Sequence, residues 1–179
     1  MSDSLEFPTV DFTSLSLKDQ QSYLHDFSQF IWAWYNDNKR LFDWRETSDP
    51  YRILLSELML QQTQTERVVS KYNEFLTLWP TFEDMAQSTL TDVLFAWKGL
   101  GYNRRAMALR TIASKSESFG YTLPDDYQTL LTFPMIGEAT AAAILSFSYN
   151  KKAIYLETNI RRVIIHHFFT SEEDVRDKD

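Results

Sequence analysis

Apolar residues recur through most of this chain at intervals of three and four, the spacing of amphipathic helices. Phe27, Phe30, Ile31 and Trp34 stand at i, i+3, i+4 and i+7, one stripe of a helix expected over about 17–35. Asp49-Pro50 reads as an N-cap followed by proline in the first turn and opens a second helix. A third, over 64–78, turns Val68, Tyr72, Phe75 and Leu76 inward and stops at Trp79-Pro80. Thr89-Leu90-Thr91-Asp92 begins another, with Val93, Leu94 and Trp97 inward and Gly99 at its end. Helices follow over 103–119, ending at Gly120, over 124–132, over the alanine-rich 137–149, and over 158–169. No alternating stretch is long enough for a sheet, and no low-complexity linker divides the chain. The pattern predicts an all-α array of short helices with tight connections.

Composition narrows the classes. The 179 residues suffice for one domain, or one domain with an added lobe, and for a real core. No run approaches the roughly 18 apolar residues that span a bilayer, so no membrane association is expected. The acidic N-terminus lacks the basic and apolar regions of a signal peptide, giving a cytoplasmic expectation, or a nucleoid-associated one in a bacterium. The chain has no cysteine, which excludes disulfides, thiolate catalysis and a cysteine-bound iron–sulfur cluster within it. A net charge of −7 argues against coating nucleic acid by bulk electrostatics. The acidic surplus gathers at 2–6 and 171–179. Basic residues cluster at Asn103-Arg104-Arg105, Lys151-Lys152 and Arg161-Arg162 and read as solvated faces. His25, His166 and His167 lack company that could hold a metal.

Three segments carry candidate chemistry. In Ser56-Glu57-Leu58-Met59-Leu60-Gln61-Gln62-Thr63 a carboxylate sits in an apolar helical run that ends in two amides. Loss of solvation among Ile53, Leu54, Leu55, Leu58 and Leu60 disfavours the charged carboxylate, the condition a general acid needs. With only four glycines in the chain, their positions are informative. Gly99 and Gly101 flank Leu100 ahead of Tyr102. Gly137 follows Phe133-Pro134-Met135-Ile136 and opens a helix of small residues, whose unpaired amides suit an anion.

With Leu156-Glu157-Thr158-Asn159-Ile160-Arg161-Arg162-Val163 added, these segments in this order resemble the helix-hairpin-helix (HhH-GPD) DNA glycosylase superfamily, over about 30–169. They are most similar to its adenine-specific branch (the MutY type) and next to endonuclease III. The resemblance implies a base-excision repair hydrolase that flips a mispaired adenine, opposite guanine or 8-oxoguanine, out of double-stranded DNA. It implies that Glu57 protonates the base, while Gln61, Gln62 and Thr63 enter the duplex and Tyr102 wedges beside the opposite base. Trp44 and Arg45 would line the pocket. Ile136, Gly137, Ala139 and Thr140 would grip the DNA backbone through hairpin amides. Carbonyls of Leu131, Phe133 and Ile136 would hold a monovalent cation.

The chain departs from the family at four points. Glu157 stands where the family has a catalytic aspartate that stabilises the cationic sugar, with Asn159 in support. Ala139 replaces the lysine of bifunctional members, so the expected activity is monofunctional. Met135 replaces a small hairpin residue. Relatives continue with further helices, often ending in a four-cysteine iron–sulfur loop. The expected layout is a tail over 1–13, a glycosylase domain over 14–170 and an acidic tail over 171–179. Its helix over 14–36 would pack on a missing C-terminal lobe or self-associate. Thymine or uracil opposite guanine as the target, a DNA-binding module without activity, and a helical interaction domain stay open as alternatives.

Overall fold

The computed structural model describes residues 6–154 and 156–170. Among them are nine α-helices and no strand beyond an isolated antiparallel bridge between Asp11 and Phe169. None of these helices is long and apolar enough to cross a membrane. The chain divides into two compact units, Met1–Arg40 with Leu156–Asp179, and Leu41–Tyr155.

In the first unit, α1 (Leu17–Asn38) starts at Ser16, whose hydroxyl accepts from the Asp19 amide at 3.3 Å. It meets α9 (Thr158–Phe168) through Phe168, edge-on to Tyr23 and Phe27 with ring centroids 5.2 and 4.9 Å apart. Residues 6–13, expected as a tail, are instead tied down, without helix over 6–11 and then entering a 3-10 turn at Phe12–Ser14. The Val10 amide donates to His167 O at 3.0 Å, and the Tyr23 hydroxyl bridges Pro8 O and His167 O at 2.7 and 2.9 Å. Phe7 sits on Tyr23, Phe27 and Phe30, with ring centroids 5.1–5.3 Å apart. The covered stripe is therefore Tyr23, Phe27 and Phe30, turned from the expected one because Phe7 occupies that side. Ile31 and Trp34 are 39% and 47% exposed. Beside them, Leu24, Ile31, Trp32 and Phe168 line an apolar groove of about 540 Å³. The expected acidic tail over 171–179 lies outside the described residues.

The second unit is organised around α2 (Pro50–Leu60). Asp49 caps it, accepting from the amides of Tyr51 and Arg52, and Pro50 costs no hydrogen bond at the first position. Tyr51, Ile53, Leu54, Leu55, Leu58 and Met59 are all buried. A helix apolar on nearly every side belongs inside, and α2 packs against α3 (Thr65–Leu78), α6 (Arg104–Ser116) and α8 (Glu138–Tyr149). Each such Leu or Ile contributes roughly 1.5–3 kcal/mol. Ala141, Ala142 and Ala143 are buried where α8 meets this core. Between them lie α4 (Phe82–Gln87), α5 (Leu90–Ala96) and α7 (Tyr127–Leu130). The periodicity did not predict α4, which is too short to show a stripe. Its signal is the reciprocal capping box of Thr81 and Asp84.

Candidate active site

The site in the second unit begins where α2 stops. Gln61 leaves helical geometry, Gln62 is left-handed at φ 55°, and Thr63 turns the chain into α3. The last carbonyls of a helix have no partner within it. Here they meet Arg105, in the first turn of α6. Its guanidinium donates to Leu58 O (2.9 Å), Met59 O (3.0 Å), Gln61 O and Thr63 Oγ1 (3.1 Å) on one side. On the other it donates to Leu100 O (2.8 Å) and Gly101 O (3.1 Å). Arg105 is 1% exposed, so the expectation of a solvated basic face fails at this residue. Burial, with a smaller contribution from Arg104, lowers its pKa from the ordinary arginine value. A guanidinium stays charged all the same. Its position in register with Leu109 and Ile112, at i+4 and i+7, is the sequence signal that marks it as inward.

The Gly99–Tyr102 turn is held from both sides. Gly99 and Gly101 have φ of 100° and 71°, and Trp97 Nε1 donates to Gly101 O at 2.9 Å. Arg105 lies 5.5 Å from the Trp97 ring centroid and 5.4 Å from that of Tyr102. Tyr102 is itself left-handed, at φ 47°, and 55% exposed. Gln61, Gln62, Tyr102, Arg104, Arg105 and Met135 line one cavity of about 290 Å³. Three of these, Gln62, Tyr102 and Met135, are non-glycine residues in the left-handed region. Such backbone costs energy and persists where surrounding contacts impose it, most often at functional sites.

Glu57 is half-buried on α2, between buried Ser56 and Leu58. Trp44 departs from its expected place on a pocket wall. It is a core residue, stacked on Phe42 at 4.6 Å and edge-on to Tyr72 at 5.2 Å, because a short 3-10 turn (Asp43–Arg45) folds it under α2. Arg45 is exposed, 5.4 Å from the Phe42 ring centroid.

The hairpin joins α7 to α8. Phe133 and Ile136 are buried anchors, and Ile136 N donates to Phe133 O at 3.3 Å. Gly137 is the N-cap of α8 and supplies no side-chain cap. A Cβ built there would meet open space, and Ala139 beside it is exposed, so the helix start is accessible; Thr140 is buried. The oxygens of Leu131, Phe133 and Ile136 suit a monovalent cation chemically. Even Phe133 O keeps a second lone pair beyond its hydrogen bond. Among the described residues no group of three His, Asp or Glu could hold a metal ion.

Glu157 and Asn159 belong to the first unit. Glu157 is the N-cap of α9 and exposed, but makes no side-chain cap bond, in keeping with glutamate's absence from the favoured N-cap residues. Asn159 is exposed in the first turn.

A family model described as "HhH-GPD superfamily base excision DNA repair protein" matches residues 55–178. The chain is 40% identical over 134 residues to the adenine DNA glycosylase of Mycobacterium tuberculosis (strain ATCC 25618 / H37Rv), covering 74% of this chain and 44% of that protein. It is 31% identical over 151 residues to the thymine/uracil-DNA glycosylase of Methanothermobacter thermautotrophicus, covering 83% and 68%. Among solved structures it is similar to a thermostable thymine-DNA glycosylase, with a TM-score of 0.73, 31% identity and coverage of 78% and 65%. The chain thus spans about half the length of adenine glycosylases it matches, at 41%, 44% and 52% of three of them.

Proposed function

We propose that this chain, which belongs to the HhH-GPD superfamily of base excision DNA repair proteins, removes a mispaired adenine from double-stranded DNA. The observation that carries the reading is the convergence of Gln62, Tyr102 and Met135, all left-handed, on one cavity at the end of the helix that bears Glu57. Strained, half-open backbone beside a turn of amides suits a segment that fills the space of an extruded base. Several similar proteins are adenine DNA glycosylases, which supports adenine as the base.

In this reading Glu57 donates a proton to the adenine ring, and the bond from the sugar to N9 breaks with its electron pair leaving on the base. Glu157 stabilises the cationic sugar and takes the proton of the water that adds to it, with Asn159 in support. Ala139 has no amine, so no Schiff base forms there and the enzyme is a monofunctional hydrolase. The hairpin amides at Gly137–Thr140 position the duplex without reading sequence. A monovalent cation on the Leu131, Phe133 and Ile136 carbonyls would add positive charge at that grip.

The test is single-turnover release of adenine from duplexes carrying adenine opposite 8-oxoguanine. Release is expected, with a loss of about 10²- to 10⁴-fold in Glu57→Gln. Failure of the wild-type chain to release adenine sinks the reading. The similarity to the thymine/uracil-DNA glycosylase favours a second one, thymine or uracil opposite guanine as substrate. Release of a pyrimidine, insensitive to Glu57→Gln, would establish it.

A further inference from the structure

We propose that Arg105 is a positioning residue that fixes the Gln61–Thr63 segment in register with the Gly101–Tyr102 turn. This rests on the reading that both segments flank an extruded base, and it assigns their spacing to one side chain. The two segments lie about 40 residues apart in sequence. Apart from one long bond from Thr63 Oγ1 to Leu100 O at 3.5 Å, what joins them is the Arg105 fork: four acceptors from Leu58, Met59, Gln61 and Thr63, two from Leu100 and Gly101.

The geometry demands arginine. Its planar fork reaches acceptors on two sides at once, while a lysine ammonium is a compact point charge with three donors. The guanidinium also lies against the Trp97 and Tyr102 rings, so it bears on the side chain expected beside the DNA as well as on its backbone. Gln62 and Tyr102 hold left-handed conformations that cost energy, so each relaxes if the tether is cut. Loss of Arg105 therefore loosens two loops together, and the gap that receives the DNA loses its defined width.

Arg105→Lys and Arg105→Met separate positioning from simple stability, the second keeping the side-chain volume. Amide hydrogen exchange of the DNA-free protein is the first measurement. The Thr63 amide is bonded to Leu60 O and the Leu100 amide to Trp97 O, so both are protected reporters, and the Ala141 amide, bonded to Gly137 O, is the control. Both variants are expected to speed exchange at Thr63 and Leu100 by about tenfold or more, with Ala141 little changed. Equal acceleration at Ala141, or none at Thr63 and Leu100, overturns the proposal. The second measurement is single-turnover base release by Arg105→Lys well below its melting temperature. A rate reduced about 10²-fold with near-unchanged affinity for fully matched duplex is expected. A wild-type rate overturns the proposal. If the wild-type chain releases no base, the functional reading fails separately and the exchange result alone decides the role of Arg105.

Discussion

At position 105 the chain buries a permanent charge, and at position 167 it half-buries a group that titrates. Arg105 substitutes for the capping that α2 lacks at its C-terminus, since charged hydrogen bonds to the last carbonyls also complement the helix dipole. Removing it leaves the Leu58 and Met59 carbonyls at the end of α2 without this donor and strips a charged one from Gln61, Leu100 and Gly101, which explains why a costly buried cation is retained. His167 has no such cage. Burial, and then the neighbouring His166, push its pKa below the ordinary 6.5, and its ring packs on Phe7 and Phe27. The unfolded chain therefore takes up this proton first. Stability from this residue is complete above about pH 6.5 and is lost as pH falls through the lowered folded value. His167→Phe is expected to shrink the drop in melting temperature between about pH 7.5 and 5.5, measured by circular dichroism. A drop equal to that of the wild type would disprove this.

Among the elements, the hairpin between α7 and α8 is built on a compromise. Met135 occupies a left-handed turn position at φ 62° and is packed against the core by its side chain. Left-handed backbone costs roughly 1–2 kcal/mol for an ordinary residue, and more for a β-branched one. Glycine relieves that cost but loses the packing and adds freedom to the unfolded chain, about 0.4–1 kcal/mol. Met135→Gly is expected to leave stability within about 1 kcal/mol of the wild type, and Met135→Val to lower it by about 2 kcal/mol or more. Urea denaturation of the two variants checks this, and equal stability of Val and Gly would refute the turn assignment. The short helix α4 makes a related point. It persists at six residues because Thr81 and Asp84 cap each other's amides and Phe82 and Met85 reach the core.

For the whole molecule, the net charge of −7 sets the salt dependence that the proposed DNA binding should show. A protein that neutralises six to ten phosphates loses about 10³- to 10⁵-fold in affinity between 50 and 200 mM salt. An acidic chain that, as proposed, grips backbone through helix amides and a few cations such as Arg104 would neutralise fewer. Its affinity for duplex is expected to fall less than about a hundredfold over that range, as read by fluorescence anisotropy. A steeper fall would mean that a basic surface, rather than oriented amides, provides the grip.

Much of this protein is determined by the sequence alone, because helices are local. A period of 3.6, the caps at Asp49, Thr89 and Gly120, and the glycines at 99 and 101 act within a few residues, and the helices formed where those signals stand. Gln61, Gln62 and Tyr102 were legible for the same reason, each lying at a helix end or a glycine turn. Position 44 was not, since an aromatic ahead of a helix reads alike whether it lines a wall or fills a core. Nor was Arg105, where residue type says surface while the register with Leu109 and Ile112 says inward. Only the tertiary structure decided that it is buried, because the carbonyls that offset its desolvation come from segments four to 47 residues away. The same holds for the meeting of Gln62, Tyr102 and Met135 in one cavity. Local preference sets each turn, and long-range packing selects which strained turns face one another.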